Sequence, residues 1–123
     1  MESIERYEKL EVWQEADKFA LEVYRATKRF PKEEIYGITS QVRRAVLSVP
    51  TNIVEGYARK GDKELSHFLD ISFASLSETK YLLYFSKNLG YIPADEYEKL
   101  EKTANEVGGK LWKFMQVVRG AVH

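Results

Sequence analysis

Cysteine is absent from this 123-residue chain, and histidine nearly so, with two. That excludes disulfides, thiolate nucleophiles and cysteine-based metal sites. Net charge is also missing, since 19 lysines and arginines balance 19 aspartates and glutamates. Any pull on nucleic acid must then come from charge segregated on the surface. Long apolar runs are lacking. The stretch from Ala45 to Val54 is uncharged but holds a proline and polar residues, and it falls well short of the roughly 20 apolar residues of a membrane span. The start MESIERYEKL has neither the basic nor the apolar block of a secretion signal. A cytoplasmic chain with no membrane insertion is expected.

What is present suits an ordinary globular fold: 44% hydrophobic and 31% charged residues, in a length that buries one core. The expected organisation is a single domain, 1–123. Four amphipathic segments fill it. In the first, about 10–29, Val12, Ala16, Phe19, Ala20, Val23 and Thr27 recur at helical spacing, and Phe30-Pro31 ends it. The second, about 34–60, carries Ile38, Val42, Ala45, Val49 and Ile53 on one face. Pro50 inside it removes a backbone donor and crowds the preceding turn, so the spacing predicts one helix kinked at Pro50, with two shorter helices as the alternative. The third, about 62–89, has Asp62 placed to cap it and Gly90 to end it in a left-handed turn. The fourth, about 93–119, starts at Pro93 and turns Tyr97, Leu100, Ala104, Val107, Leu111, Met115 and Val118 inward. Its Gly108-Gly109 pair, costly in a helix interior, predicts close packing or a local bend. Strand alternation is not evident. Short loops between long helices predict an all-α, antiparallel, up-down-up-down four-helix bundle.

The apolar surface exceeds what one core needs. At about 100° per residue, the third helix presents Leu65, Phe68, Leu69, Ser72, Leu76, Thr79, Leu83 and Ser86 to a core. It then adds Phe73 and Tyr84 on one flank and Tyr81 and Phe85 nearly opposite. In the second, Tyr36, Leu47 and Val54 form a seam roughly 120° from the Val49 and Ile53 face. Scattered surface hydrophobes are common on monomers. Second stripes on two adjacent helices instead make these seven residues candidates for an interface between copies of the chain.

No catalytic constellation survives inspection. Glu64-Leu65-Ser66-His67 matches the Glu-x-x-His pair of di-iron bundles, but that site needs a second copy, and the other histidine is the terminal His123. The run from Gly56 to Lys63 suggests a phosphate loop until Asp62 is found where its lysine should stand. No triad spacing surrounds either histidine, and the pairs Glu33-Glu34 and Asp95-Glu96 suit helix starts. The expectation is no enzyme activity, no metal and no cofactor.

The string QVRRAVLSVPTNIVEG, residues 41–56, is the most informative. Arg44, Ser48, Thr51, Glu55 and Arg59 line up as a polar stripe, while Arg43 turns toward the Tyr36, Leu47 and Val54 seam, where it needs an acidic partner or a rim position. Ser48 and Asn52 flank the proline and can satisfy backbone groups there. One reading is a solvated face with local hydrogen bonds. The other is a recognition surface of Arg43, Arg44, Asn52, Glu55, Arg59, Lys60 and Lys63.

These residues, with Leu10-Glu-Val-Trp13, Phe30-Pro31, Gly37, Gln41, Ser75-Leu76, Glu78 and Leu89-Gly90-Tyr91, carry a resemblance. The chain resembles the four-helix-bundle proteins encoded in intervening sequences of bacterial large-subunit ribosomal RNA genes, a family related to accessory proteins of diversity-generating retroelements. The likeness spans about residues 10–115. One departure is Ala74, where relatives commonly have glycine. The resemblance implies a ring-shaped homo-oligomer, a pentamer, without known enzymatic activity; for retroelement relatives it implies partnership with a reverse transcriptase and with nucleic acid. Two functions are therefore expected to compete: a non-catalytic oligomeric scaffold that binds RNA or DNA, and a protein-interaction module that touches no nucleic acid. For the first, Arg59, Lys60 and Lys63 should cluster near Lys9, Lys113 and Arg119 at one bundle end, and Lys28, Arg29, Lys32 and Lys87 at the other.

Overall fold

A computed structural model describes residues 7–122; His123 lies outside them. Four helices account for most of this span: α1 (Glu11–Thr27), α2 (Ile38–Ala58), α3 (Asp62–Asn88) and α4 (Ala94–Val122), with a short 3-10 turn at Lys32–Glu34. No strand occurs among the described residues. None of the helices there is long and apolar enough to cross a membrane.

The helices form a closed four-membered cycle, in which α1 packs on α2, α2 on α3, α3 on α4 and α4 on α1. Single pairs mark the register. Ser48 meets Ser75 and the Val49 carbonyl meets Ser72, while Gly56 lies against Leu65 and Phe68. Along α4, Gly108 faces Leu76 and Arg119 pairs with Asp70. Between α1 and α4, Arg29 pairs with Glu96, and Lys110 with Glu11 and Glu15. The core follows the apolar period. Every position expected to turn inward from α1 and α4 is buried, as are Val42, Ala45, Val49 and Ile53 of α2, whereas Ile38 and Phe68 are only half-buried. Ser72, Thr79 and Ser86 are fully enclosed on α3 because each hydroxyl has a carbonyl acceptor, on Val49, Ser75 and Leu82 respectively.

Pro50 is accommodated inside one helix rather than between two. Its ring crowds the preceding turn and leaves the Val46 carbonyl without the usual donor. Each of the next three carbonyls receives a side-chain donor: Thr51 Oγ1 to Leu47 at 2.7 Å, Asn52 Nδ2 to Ser48 at 2.8 Å, and Ser72 Oγ to Val49 at 2.7 Å. The residues flanking the proline thus serve the backbone around it.

Several boundaries differ from the sequence reading. The second helix starts at Ile38, not near residue 34, because the 3-10 turn and Gly37 intervene. Tyr36 is therefore not helical, and its place on the α2 wheel with Leu47 and Val54 does not hold. Gly61, at φ +90°, rather than Asp62 occupies the cap position of α3; Asp62 is the first helical residue, near the positive end of the dipole. Pro93 stands just outside α4, its carbonyl accepting from the Tyr97 N–H at 2.9 Å. Gly90 has φ +81°, and the Tyr91 N–H bonds back to the Ser86 carbonyl at 3.0 Å, a Schellman closure of α3. The tight approach expected at Gly108-Gly109 is elsewhere. A Cβ on Gly109 would meet nothing within 4 Å, and one on Gly108 would be 3.4 Å from Leu76 Cδ2.

One end of the bundle is knitted by loop residues. Glu34 folds over Gly37, accepting from the Tyr91 hydroxyl at 2.8 Å and from the Ile38 N–H at 3.4 Å. The Phe30 ring leans on Tyr91 with centroids 5.4 Å apart. The hydrogen bond to Glu34 and the charges of Glu34 and Glu33 push the Tyr91 hydroxyl above its ordinary pKa, with desolvation adding to the rise.

Candidate recognition surface

The seven candidate recognition residues separate into three places. Arg43 goes to α1. The last carbonyls of that helix lack a main-chain donor; that of Tyr24 accepts from the Thr27 hydroxyl at 3.0 Å and from Arg43 Nη2 at 3.3 Å, while Arg43 Nε donates to Thr27 Oγ1 at 2.8 Å. Its guanidinium also lies 5.0 Å from the centre of the Tyr24 ring. Of the two expectations for Arg43, an acidic partner or a rim position, no acid meets it among the described residues; main-chain and hydroxyl oxygens serve, and the side chain is half-buried. Arg43→Ala should cost about 2 kcal/mol, the range for hydrogen bonds to a charged group, read as a lower urea midpoint. Arg43→Lys should recover only part of that, because an ammonium cannot reproduce the fork.

Arg44 and Asn52 lie toward α3. A groove of about 420 Å³ between α2 and α3 is lined by Gln41, Arg44, Ala45, Ser48, Ser75 and Glu78. Within its lining Ser48 Oγ meets Ser75 Oγ at 2.8 Å, and Ser48 Oγ in turn accepts from Asn52 Nδ2 at 2.8 Å. Arg44 and Glu78 form no ion pair among the described residues, so a cation and an anion face solvent across one polar cleft. The adjoining stretch is apolar: Ile38, Tyr81, Leu82, Phe85 and Leu89, with Glu34 and Gln41 at its edge, surround about 300 Å³.

Arg59, Lys60 and Lys63 lie at the α2–α3 connection, all exposed. Arg59 is taken up by its own helix and the next, 3.7 Å from Glu55 and 5.1 Å over the Phe68 ring. Other expected members of the basic ends are also partnered. Arg119 pairs with Asp70 and Arg29 with Glu96. Lys87 lies over Tyr84 and Tyr97, at 5.2 and 4.9 Å. On the flank between α1 and α4, Lys110 lowers the pKa of Glu11 by hydrogen bond and charge, and its own is raised by Glu11 and Glu15. His67 is exposed, its ring edge-on to Phe68.

The apolar candidates differ in exposure. Tyr36 is 96% exposed, Tyr81 60%, Leu47 49%, Tyr84 47% and Phe85 44%. Val54 and Phe73 are half-buried. Tyr81 and Phe85 touch each other on the α2 side of α3, with ring centroids 6.2 Å apart. Phe73 points the other way and meets Trp112 of α4 at 5.7 Å. Trp112, 47% exposed, and Leu89, 46% exposed, were missed from the sequence. Trp112 directly follows the core position Leu111, and that adjacency was the available signal. Ala74 is exposed and so marks no close helix approach.

The family described as "23S rRNA-intervening sequence protein" matches residues 8–113. Among solved structures, the chain is similar to a protein of unknown function from the S23 ribosomal protein family of Bacteroides thetaiotaomicron. The TM-score is 0.78 at 20% identity, over 85% of this chain and 95% of that one, a likeness of fold. No curated protein matches. With the family match running from before α1 well into α4, and the same fold in the solved structure, the chain belongs to the 23S rRNA-intervening sequence protein family.

Proposed function

We propose that this protein is a non-catalytic, homo-oligomeric scaffold of the cytoplasm that binds RNA. The observation that carries the oligomer is the placement of exposed aromatics on two different flanks of α3: Tyr81 and Phe85 beside α2, and Tyr84 with Trp112, which rests on the half-buried Phe73, beside α4. Two unlike patches on one subunit suit a head-to-tail contact, which closes into a ring when the rotation permits. This supports the pentamer implied by the family resemblance over a two-fold dimer. A nucleic-acid role is supported by the family and by lysines that form no ion pair among the described residues, such as Lys60 and Lys63. Partnership with a reverse transcriptase is the retroelement relatives' version of the same role.

Phe85→Glu should leave the helical signal unchanged and shift the protein to a smaller species in gel filtration. Loss of helicity in that variant would place Phe85 in the fold rather than in a contact between copies. For RNA, filter binding at two salt concentrations is the test: affinity at low salt that drops steeply at high salt supports the proposal, and no affinity at low salt sinks it. The α2–α3 cleft favours a second reading, a protein-interaction module, because Arg44 and Glu78 could pair with opposite charges on a peptide. That reading predicts a partner that survives nuclease treatment in affinity purification.

A further inference from the structure

Most arginines on this surface have an oxygen or a ring to rest on, and Lys110 has two carboxylates. Lys28 and Lys32 have none among the described residues. Both are exposed and form no ion pair among the described residues. They lie on the short link from α1 to α2 and line a cavity of about 200 Å³ shared with Thr39 and Arg43, with Phe30 and Ile35 among its walls. No carboxylate lines it. Of the nearby acids, Glu33 and Glu34 do not line it, and the Glu34 carboxylate is spent on the Tyr91 hydroxyl and the Ile38 N–H at the start of α2.

Two further features distinguish this cavity from a pair of surface lysines. Arg43 is half-buried and held by Thr27 and Tyr24 through Nε and Nη2, so its guanidinium is fixed in place while Nη1 has no partner among the described residues. Thr39, in the first turn of α2, is 5% exposed, and its hydroxyl is buried with no hydrogen-bond partner among them. Buried polar atoms are rarely left so, and an exception asks for a missing ligand or water. Three cations and a spare hydroxyl line a space the size of a phosphate group with part of its hydration shell. Guanidinium is a standard phosphate ligand.

We propose that the cavity between the end of α1 and the start of α2 binds a phosphate group, with Arg43 as its fixed ligand and Lys28 and Lys32 closing over it. The phosphate comes either from a strand of RNA or from a small free phosphate. The first source rests on the RNA-binding reading above; the site itself does not.

The test uses the full chain and a double variant, Lys28→Gln with Lys32→Gln, whose side chains are exposed and form no ion pair among the described residues. Inorganic phosphate titrated at low ionic strength should give saturable TROSY shifts confined to the amides of residues 27–43. Chloride at equal ionic strength should not, and the double variant should lose them. Shifts that chloride reproduces, that spread over the whole surface, or that persist in the double variant overturn the site. In a parallel titration with single-stranded RNA, the slope of log affinity against log salt should fall by roughly 0.7 for each phosphate the double variant no longer neutralises. Phosphate shifts with no RNA affinity support the site with a free phosphate and refute the RNA reading. RNA affinity with an unchanged slope and no phosphate shifts refutes the site and leaves that reading standing.

Discussion

Gly56→Val is expected to lower the unfolding free energy by about 2–3 kcal/mol, the cost of overpacking a close contact. The last turns of α2 run against the first turns of α3 at this residue. A Cβ there would stand 2.7 Å from Leu65 Cδ1, 3.2 Å from Phe68 Cβ and 3.5 Å from Leu65 Cα. The Leu65 tip can rotate away, but the Phe68 Cβ moves only with the backbone of α3. A single methyl, in Gly56→Ala, also gains about 1 kcal/mol of helix propensity, so its net effect should be small. Valine adds branches that no rotation of Leu65 alone can admit. Gly109→Ala should do the reverse and stabilise by about 1 kcal/mol, since that position opens on space and an exposed helical glycine only adds entropy to the unfolded chain. Urea melts of the three variants decide between a packing role and mere helix weakness. If Gly56→Val and Gly109→Ala both stabilise, the close approach of α2 and α3 is wrong.

Phe19→Ala should cost more still, about 3–5 kcal/mol. Phe19 is 0% exposed and is the largest side chain wholly enclosed in the bundle. Its removal deletes the buried area of a ring and leaves a void that the surrounding helices can close only in part. Domains of this kind have about 5–15 kcal/mol in total, so the variant should lose a large fraction of its stability. A urea midpoint that falls while the slope of the transition is kept identifies the loss as one of stability rather than of cooperativity. A change under about 1 kcal/mol would mean that α1 is not the core-filling helix described.

The core was legible because burial follows period. Val12, Ala16, Phe19, Ala20, Val23 and Thr27 needed only helical spacing, and all are buried. Gly90 was legible because a left-handed cap has few alternatives. The start of α2 was not. A 3-10 turn and a helical turn have similar sequence demands, and the carboxylate of Glu34 is used by Tyr91, a residue far away in the chain. The close approach at Gly56 was also hidden, since one sequence shows that a glycine is present but not which helix passes over it. Gly109 invited the expectation and carries nothing.

The candidate surface was legible only in part. Arg43, Arg44 and Asn52 were picked out from one short string, yet they serve three ends: Arg43 finishes α1, Arg44 borders the α2–α3 cleft, and Asn52 bonds the turn around Pro50. Neighbouring positions on a helix point about 100° apart, so adjacency in sequence does not make a site. Basic residues misled for a related reason. Clusters at the bundle ends were drawn from their places along the helices, but Arg29, Arg59 and Arg119 each meet an acid there. Lys28 and Lys32 meet none among the described residues.

The working unit proposed for this family member is a bundle whose exposed aromatic flanks are covered by further copies of itself. Light scattering on the purified protein at micromolar concentration measures this most directly. The expected mass is a multiple of the 14.3 kDa subunit, with the fivefold species of a pentameric ring the specific expectation. A mass of 14.3 kDa, held across that concentration range, would contradict it.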